Sequence, residues 1–313
     1  MMKNVTLRQL RIFSTVARQL SFTRAGHCLY LSQPAVSSQI RQLEAALSSR
    51  LFHRVGRSVQ LTEAGARLLC CVDEIENSLE RTEESLAALR GVKMGTLKIG
   101  AVNTANYFAA SLVNRFSANN PSITVRYTVD ATSEILSQLV QGQTDVIIIG
   151  FVPPNLNIVS KPFAKHPYVI IASPSHPLAR LKRVSLKQLF KERFVSRKQG
   201  SSARAIMENL AQGIGVNYDP GMEMTSNETI KQAVMAGIGI GFISRHTLSL
   251  ELLTGRLAIL KVEGFPVIRN WYVISLRDRQ LSPVASAFDR YLVTSGAEII
   301  DSIMGNGEPA KGS

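Results

Sequence analysis

The sequence has few cysteines and no long apolar run, and both absences limit what the protein can be. Cys28, Cys70 and Cys71 are the only cysteines. Their odd number and unpaired spacing argue against a disulfide framework or a zinc site and favour a reducing compartment, with a redox-sensing thiol as the alternative. No apolar run approaches the roughly 18 residues that span a bilayer, and no charged-then-apolar signal opens the chain. We therefore expect a cytoplasmic, globular protein with no membrane partner.

Acidic residues are almost missing from the first 60 positions. Nine lysines and arginines face a single acid, Glu44, so this segment has a net charge of +8, whereas the rest of the chain accounts for only +5 of the total of +13. Such a local excess is typical of a surface that binds the phosphates of nucleic acid. We expect double-stranded DNA as the partner.

The residue patterns of an enzyme are also missing. No nucleophile elbow, pair of catalytic carboxylates or metal-ligand cluster is present, and the five histidines are scattered. Residues 237–241 lack the third glycine of a dinucleotide fingerprint and predict a tightly packed strand. We expect no enzymatic activity, no metal and no covalent cofactor; a small-molecule enzyme with a DNA-binding head is a remote alternative.

The basic segment contains two short helical patterns that meet at a tight turn. Ser21 and Ser32 each precede one pattern, where a side-chain oxygen can cap the helix, and Pro34 fits the first turn of the second helix. The second helix then has apolar residues at spacings of four, three and four, at Val36, Ile40, Leu43 and Leu47. The opposite, polar face suits the major groove of DNA. An ordinary amphipathic helix with a solvated face is the alternative for this segment taken alone.

Two flanking features favour the DNA-binding interpretation. An upstream helix is expected to complete a three-helix core through the residues on one of its sides, Leu7, Leu10, Phe13 and Ala17. Downstream, residues 54–57 lie between short apolar runs and are typical of the tip of a β-wing.

These residues resemble the winged helix-turn-helix of the LysR-type transcriptional regulators. The matching runs are residues 7–13, 21–25, 31–37, 39–44, 51–52 and 61–65. The resemblance implies that Gln33, Pro34 and Ser37 approach base edges while the wing arginines hold the DNA backbone. The candidate DNA-contacting residues are Thr23, Arg24, Ser32, Gln33, Pro34, Ala35, Ser37, Ser38, Arg41, Gln42, Arg54 and Arg57.

Three positions depart from the family pattern. Gly26 replaces the usual alanine, which predicts a slightly softer helix at a propensity cost of about 1 kcal/mol. Ser38 stands where arginine is common, so the half-site preference is expected to differ. Ser48 stands where a glycine often ends the helix, which leaves the end of the helix open.

A heptad pattern follows the DNA-binding segment of residues 1–61, which we call the head. Its members are Leu68, Val72, Ile75, Leu79, Thr82, Leu86 and Leu89. Residues 62–90 predict one continuous helix of about 43 Å. By itself the pattern fits a helix packed on its own domain as well as it fits a dimer. With a DNA-binding head attached it favours dimerisation, because paired heads read two-fold symmetric operators. The resemblance implies the same helix and, commonly, a tetramer of two dimers.

Beyond a hinge at residues 91–95, strands alternate with helices. The predicted strands are residues 96–102, 123–129, 145–149, 168–172, 194–195 and 238–243. This alternation predicts two α/β lobes with a largely parallel sheet. Ligands of such sheets lie beyond the carboxyl ends of the strands. We therefore expect one cavity formed by Asn103, Thr104, Thr132, Ser133, Gly200, Ser201, Ser202, Arg204, Asn227, Glu228 and Thr229.

Residues 200–204 are the most suggestive part of this set. Exposed amides, two hydroxyls and the Arg204 guanidinium at a helix start suit a phosphate or a carboxylate. A capped helix with a surface arginine is the alternative.

The second half resembles the effector-binding region of the same family, which has two Rossmann-like subdomains in a periplasmic-binding-protein arrangement. We therefore expect an α+β multidomain protein. Its predicted parts are a winged helix-turn-helix (residues 1–61), a dimerising linker helix (62–90) and an effector-binding domain (91–313). The two lobes of the last are expected at about 95–165 plus 265–300 and at about 166–264.

Several runs are similar to the subgroup that controls carbon-dioxide-fixation (RuBisCO, Calvin cycle) operons. They are residues 195–201, 226–237, 242–247, 255–257, 271–273 and 281–283. The resemblance implies a transcriptional activator, RNA polymerase as a partner, and a small anionic effector: a sugar phosphate, a related phosphometabolite or the reduced nicotinamide nucleotide NADPH. Lys198 and Gln199 depart from the subgroup pattern, which predicts a shifted ligand preference. A family member that controls another pathway, such as aromatic catabolism or sulfur assimilation, is the alternative.

Overall fold

The computed structural model describes residues 5–55, 58–89 and 94–304, which fall into two units. The first unit contains the chain up to residue 92 together with residues 140–143, and the second contains residues 93–139 and the chain from residue 144 onward. The elements of the first unit are α1 (Leu7–Gln19), α2 (Phe22–Leu29), α3 (Gln33–Leu47), β1 (Phe52–Val55), β2 (Ser58–Leu61) and α4 (Glu63–Leu89).

Side-chain caps and left-handed residues set the ends of the first three helices. Ser21 Oγ accepts a hydrogen bond from the Arg24 amide at 3.3 Å, and Ser32 Oγ accepts one from the Ala35 amide at 3.4 Å. Tyr30 ends α2 at φ 55°, and Ser48 ends α3 at φ 51°. The end of α3, which the sequence left open, is therefore Leu47, and a serine adopts the backbone conformation that favours glycine.

The three helices enclose a core that includes Leu10, Phe13, Val36 and Leu43, all buried. The prediction that Leu7 faces this core is wrong. Its side chain is 58% exposed, because Leu7 is the first residue of α1 and lies one turn beyond the packed part of the helix.

The prediction of a softer helix at Gly26 also misses the role of this residue. A Cβ at Gly26 would lie 2.7 Å from the Leu31 carbonyl oxygen, so the turn between α2 and α3 closes directly against the glycine.

Strands β1 and β2 form an antiparallel wing, in which Arg54 pairs with Val59. Arg57, predicted at the tip of the wing, lies outside the described residues. So does Gly91 of the predicted hinge, whereas Gly95 begins the first strand of the second unit.

The heptad pattern on α4 divides into two parts. Leu68 and Val72 are buried and Ile75 packs against the core of the head. Farther along the helix, Leu79 is 46% exposed and Leu86 is 51% exposed. The first part thus matches a helix packed on its own domain, and only the second part leaves apolar side chains for another partner.

The described residues of the second unit form one nine-stranded sheet. Its strands are β3 (Gly95–Val102), β4 (Ile123–Asp130), β5 (Val146–Ile149), β6 (Ile158–Ala172), β7 (Phe194–Arg197), β8 (Met222–Met224), β9 (Ile240–Ser244), β10 (Ala258–Ile259) and β11 (Val267–Leu276). Its helices are α5 (Asn106–Ala118), α6 (Thr132–Val140), α7 (Leu186–Leu189), α8 (Ser202–Gly213), α9 (Asn227–Met235), α10 (Ser249–Leu253) and α11 (Pro283–Met304). The strand order is β4-β3-β5-β11-β6-β9-β7-β8, with β10 beside β6.

The sheet is less parallel than the sequence predicts. The pairs β3–β4, β3–β5, β7–β8 and β7–β9 are parallel, but β6 and β11 are antiparallel to each other and to their outer neighbours β9 and β5. These two long strands cross between the lobes and join them into one sheet. The sequence predicts only the last five residues of β6, because Pro162 and Pro167 interrupt the apolar pattern before them.

The structure also describes the glycine-rich residues 237–241, the cysteines and the apolar character of the helices. Of residues 237–241, predicted as a tightly packed strand, only Ile240 and Gly241 belong to β9. Gly237 has φ 78° in the turn before it, and a Cβ at Gly239 would meet the carbonyl oxygen of Arg193. The three cysteines are unbonded and exposed. Among the described helices, none combines the length and the apolar character that a bilayer crossing requires.

Candidate DNA-binding surface and effector cavity

Helix α3 presents a polar face beside the wing. Gln33 and Arg41 are exposed, and Ser37 and Ser38 are partly exposed. The Gln33 side-chain amide donates a hydrogen bond to Ser37 Oγ at 2.9 Å, so the two residues predicted to read bases already form a pair. The face carries uncharged donors and acceptors flanked by a cation, which suits hydrogen bonding to base edges with phosphates nearby.

A groove of about 570 Å³ between α3 and the wing extends this face. It includes Gln33, Pro34, Ser37 and Arg41 from the predicted set. It also includes residues that the sequence analysis did not single out as DNA contacts: Phe22, Ile40, Glu44, Arg50, Phe52, His53 and Val59.

The other predicted DNA contacts differ in their exposure and in whether they already form hydrogen bonds within the protein. Thr23 and Gln42 are exposed, whereas Arg24 donates a hydrogen bond to the Gln19 carbonyl oxygen at 2.5 Å. Ser32 and Ala35 form the cap of α3.

The only acid of the head is a structural residue. Glu44 is buried, accepts a hydrogen bond from the Leu51 amide at 2.8 Å and lies 3.3 Å from Arg50. Its carboxylate therefore fixes the end of α3 to the start of the wing, and among the described residues of the head the one cation with which it forms an ion pair is Arg50.

The second unit contains a cavity of about 480 Å³ at the carboxyl ends of β3, β4 and β7. Seven of the predicted residues line it: Asn103, Thr104, Thr132, Ser133, Gly200, Ser201 and Ser202. An eighth, Asn227, lines the adjoining pocket that shares Thr104 and Ser201. Gly200 has φ 83°, a left-handed conformation that lets the chain turn from β7 into α8 with open space above it.

The structure places Arg204 outside this cavity. Its side chain is 11% exposed, lies 2.6 Å from Glu208 and 3.0 Å from Glu223, and stacks on the Tyr218 ring at 5.1 Å. The backbone amide of Arg204 donates to Ser201 Oγ. The capped-helix alternative therefore describes Arg204, although its guanidinium is internal and paired instead of on the surface.

Glu228 and Thr229 also line neither part of the cavity. Glu228 lies 2.8 Å from Lys231, and this hydrogen bond is the main reason that the pKa of Glu228 is lowered. Thr229 takes part in the cap of α9, where its amide donates to Ser226 Oγ at 3.1 Å.

Arg197, which was not among the predicted effector residues, takes the place expected of Arg204. It ends β7, lines the cavity and its adjoining pocket, and forms no ion pair with a carboxylate in the described part of the chain. Its Nη1 donates to Asn227 Oδ1 at 3.2 Å, while its buried Nε has no partner among the described residues. Burial lowers the pKa of this guanidinium, so its charge is incompletely compensated. The position of Arg197, at the end of a predicted strand and shortly before a predicted helix, was the sequence feature that could have identified it.

A short chain of hydrogen bonds links Arg197 to the opposite lobe. Asn227 accepts from Arg197 and its own Nδ2 donates to Thr104 Oγ1 at 3.0 Å. Arg197 and Asn227 belong to one lobe and Thr104 to the other, so these hydrogen bonds connect the two lobes.

The floor of the cavity is aromatic and uncharged. The His166 ring stacks on Trp271 with centroids 3.8 Å apart, and Trp271 Nε1 donates to His246 Nδ1 at 2.9 Å. Burial, together with His246, holds the pKa of His166 well below its usual value. Burial also lowers the pKa of His246 to about 4. The floor therefore stays neutral near pH 7, and the charged residues that line the cavity are Asp130, Arg197 and Lys198.

Two family models match the chain. Residues 7–66 match the bacterial regulatory helix-turn-helix protein of the lysR family, and residues 90–297 match the LysR substrate binding domain. The RuBisCO operon transcriptional regulator of Allochromatium vinosum is 42% identical over 296 residues, which cover 95% of this chain and 98% of that protein.

Solved structures match as well. The regulatory domain of Synechocystis PCC6803 CcmR in complex with 2-PG is 34% identical at a TM-score of 0.60 and covers 64% of this chain and 96% of that chain. Full-length CbnR complexed with its target DNA has a TM-score of 0.69 at 23% identity and covers 92% of this chain and 99% of that chain. The second match shows a shared fold.

Proposed function

The chain belongs to the LysR family of bacterial transcriptional regulators, and we propose that it activates carbon-dioxide-fixation genes in response to a small phosphorylated metabolite. The support for the pathway is the 42% identity to a RuBisCO operon regulator over nearly the full length of both chains. The support for the ligand class is a relative of 34% identity whose regulatory domain is in complex with 2-PG.

The observation that carries the ligand proposal is Arg197. A half-buried guanidinium without a carboxylate partner among the described residues is costly unless an anion completes it. The amides and hydroxyls at the start of α8, from Gly200 to Ser202, supply further donors on the same side of the cavity. A phosphate or carboxylate on Arg197, with the sugar or acid chain over the neutral floor, satisfies both groups. Sugar phosphates, related phosphometabolites and NADPH all carry such an anion.

We propose that the ligand acts by changing the contact between the lobes. An anion on Arg197 competes with Asn227 for the guanidinium, and Asn227 in turn bonds Thr104 of the other lobe. A ligand shifts such an equilibrium only by its differential affinity for the two arrangements, so different effectors can act in opposite directions.

The assembly belongs to the same proposal. The exposed Leu79 and Leu86 of α4 are available to a second copy of the chain, which would pair two heads for a two-fold symmetric operator. A tetramer of two such dimers, with RNA polymerase as a further partner at the promoter, completes the regulator.

The test is fluorescence anisotropy of a labelled RuBisCO-operon promoter fragment, titrated with the full chain at fixed salt, with and without ribulose bisphosphate or 2-phosphoglycolate. We expect a complex tighter than that with random DNA, and an affinity that changes with one of the phosphorylated ligands. The variant Arg197→Gln should keep the complex and lose the ligand effect, while the matched exposed variant Arg126→Gln should keep both. Binding to this promoter no tighter than to random DNA, with no ligand effect, would contradict the carbon-fixation assignment and favour another pathway.

A further inference from the structure

More than half of the net positive charge of the effector-binding unit comes from one short segment. Residues 180–193 contain six lysines and arginines and one acid, Glu192, which gives a net charge of +5. Residues 61–92, which include the linker helix, have a net charge of −4, so residues 93–313 carry +9, and residues 180–193 supply +5 of it. Such a concentration of like charge costs self-repulsion, which an anionic partner relieves.

The segment is fixed firmly to the core of its lobe. Val184 and Leu189 are fully buried, and Phe190 packs with its ring 5.8 Å from that of Phe194. Ser185 caps α7 through a capping box. Because apolar anchors alternate with basic residues, the side chains of the basic residues point away from the core at defined positions.

Most of these cations have no acid to neutralise them. Arg183 lies 2.8 Å from Glu263, and Glu192 lies 3.6 Å from His176. In the described part of the chain no carboxylate lies within ion-pair distance of four exposed residues, Arg180, Lys182, Lys187 and Lys191. We call these four residues the basic surface.

The composition of the basic surface fits DNA better than a protein. Protein interfaces depend on buried aromatic and apolar anchors and are depleted of lysine. Here the one large apolar side chain exposed within the segment is Leu181, at 41%. Contacts to DNA phosphates, by contrast, are made mainly by exposed lysines and arginines and need no apolar centre.

We propose that the basic surface is a second contact with DNA phosphates, made by the effector-binding unit in addition to the head. The occupant is double-stranded DNA flanking the segment that the head binds. The linker helix tethers this unit to a head that already holds DNA, so the local concentration of phosphates is high and a weak contact suffices. The inference rests on the DNA-binding family and is independent of the operon and the effector proposed above.

The experiment compares the full chain with two variants in which the same amount of charge is removed. The test variant is Arg180→Gln, Lys182→Gln, Lys187→Gln and Lys191→Gln. The control variant is Arg126→Gln, Lys165→Gln, Arg256→Gln and Arg290→Gln, four exposed residues elsewhere in the same unit. Anisotropy with random-sequence duplexes is measured over a series of NaCl concentrations, on a short duplex that only a head covers and on a duplex several times longer. Thermal melting confirms that both variants are folded.

On the long duplex we expect the slope of log K against log salt to fall by about one for each phosphate that the test variant no longer neutralises. The control variant should keep the wild-type slope, and on the short duplex all three proteins should agree. A test variant with the wild-type slope on the long duplex would overturn the proposal. The basic surface would then be better explained as a binding site for a protein such as RNA polymerase. An equal decrease in the control would also overturn it, as a general effect of charge. Failure of wild type to bind the short duplex would instead contradict DNA binding by the head.

Discussion

The recognition surface and the effector cavity differ in how they are built. The candidate recognition surface is one face of α3, beside a wing, and its polar side chains are exposed or partly exposed and close in sequence. The cavity is assembled from the ends of β3, β4 and β7 with β6 and β11 below, and its central charge is half buried. The candidate groups of the first surface are thus solvent-exposed and screened by salt, whereas in the cavity the Arg197 guanidinium is partly desolvated above a neutral floor.

The largest effect we expect comes from removing the two side chains that we propose to read bases, while the charge of the head stays the same. Gln33→Ala with Ser37→Ala should lower discrimination between operator and random DNA by about 2–4 kcal/mol, which is thirtyfold or more. The salt-sensitive affinity for random DNA should remain, because the double variant keeps all lysines and arginines of the head. Competition anisotropy with both DNAs measures the ratio. If the ratio of the affinities for operator and random DNA did not change, the assignment of α3 as the recognition helix would be wrong.

Lowering the pH should reduce the stability of the effector-binding unit, because His246 at the floor of its cavity becomes protonated on unfolding. His246 has a pKa of about 4 in the folded state, below the ordinary value of 6.5, so the unfolded chain binds a proton that the folded chain excludes. Its contribution to stability is complete above about pH 6.5 and falls as the pH drops to about 4, by about 3 kcal/mol in total. His166 acts in the same direction.

Urea unfolding as a function of pH measures this dependence. His246→Gln keeps an acceptor for Trp271 but does not titrate, so its stability should depend less steeply on pH between 6.5 and 4. Parallel pH profiles for the two proteins would contradict the prediction.

Two arginines on either side of the turn from β7 to α8 are expected to differ in function. Arg197→Gln should weaken binding of a phosphorylated ligand by about 2 kcal/mol, or thirtyfold, because a charge-assisted hydrogen bond is removed. Arg204→Gln should leave ligand affinity nearly unchanged but destabilise the unit, because Glu208 and Glu223 lose their partner. Calorimetric titration and thermal melting separate the two effects. Loss of ligand binding in the Arg204 variant alone would restore the sequence-based assignment.

The smallest effect concerns the end of the recognition helix. Ser48→Gly should stabilise the head by about 1 kcal/mol, because glycine adopts φ 51° without the steric penalty of a serine. Ser49→Gly, next to it and outside the left-handed region, is the matched control and should give no gain. Thermal unfolding of the two variants distinguishes them, and equal melting temperatures would refute the argument.

Sequence reasoning reached different depths in the two regions. In the head, the helix starts at Ser21 and Ser32 and the buried stripe of α3 were predicted because capping and amphipathic spacing are local properties of the chain. In the effector unit, the strand and helix order was predicted in outline, and eight of the eleven proposed cavity residues line the cavity or its adjoining pocket. The crossover strand β6 was predicted only in part, because its prolines interrupt the pattern that identifies strands. Strands β8, β10 and β11 were not predicted.

By itself, the sequence determined the family, the DNA-reading head, the alternation of strands and helices and the concentration of positive charge, since each depends on residues that are neighbours along the chain. Only the tertiary structure decided which arginine faces the cavity and which part of the α4 heptad stays exposed. Arg197 and Arg204 flank the same strand-to-helix turn, and the acids that pair with Arg204 come from α8 and β8. Whether a cation is neutralised depends on the elements that pack beside it, and that is settled only when the sheet and helices come together.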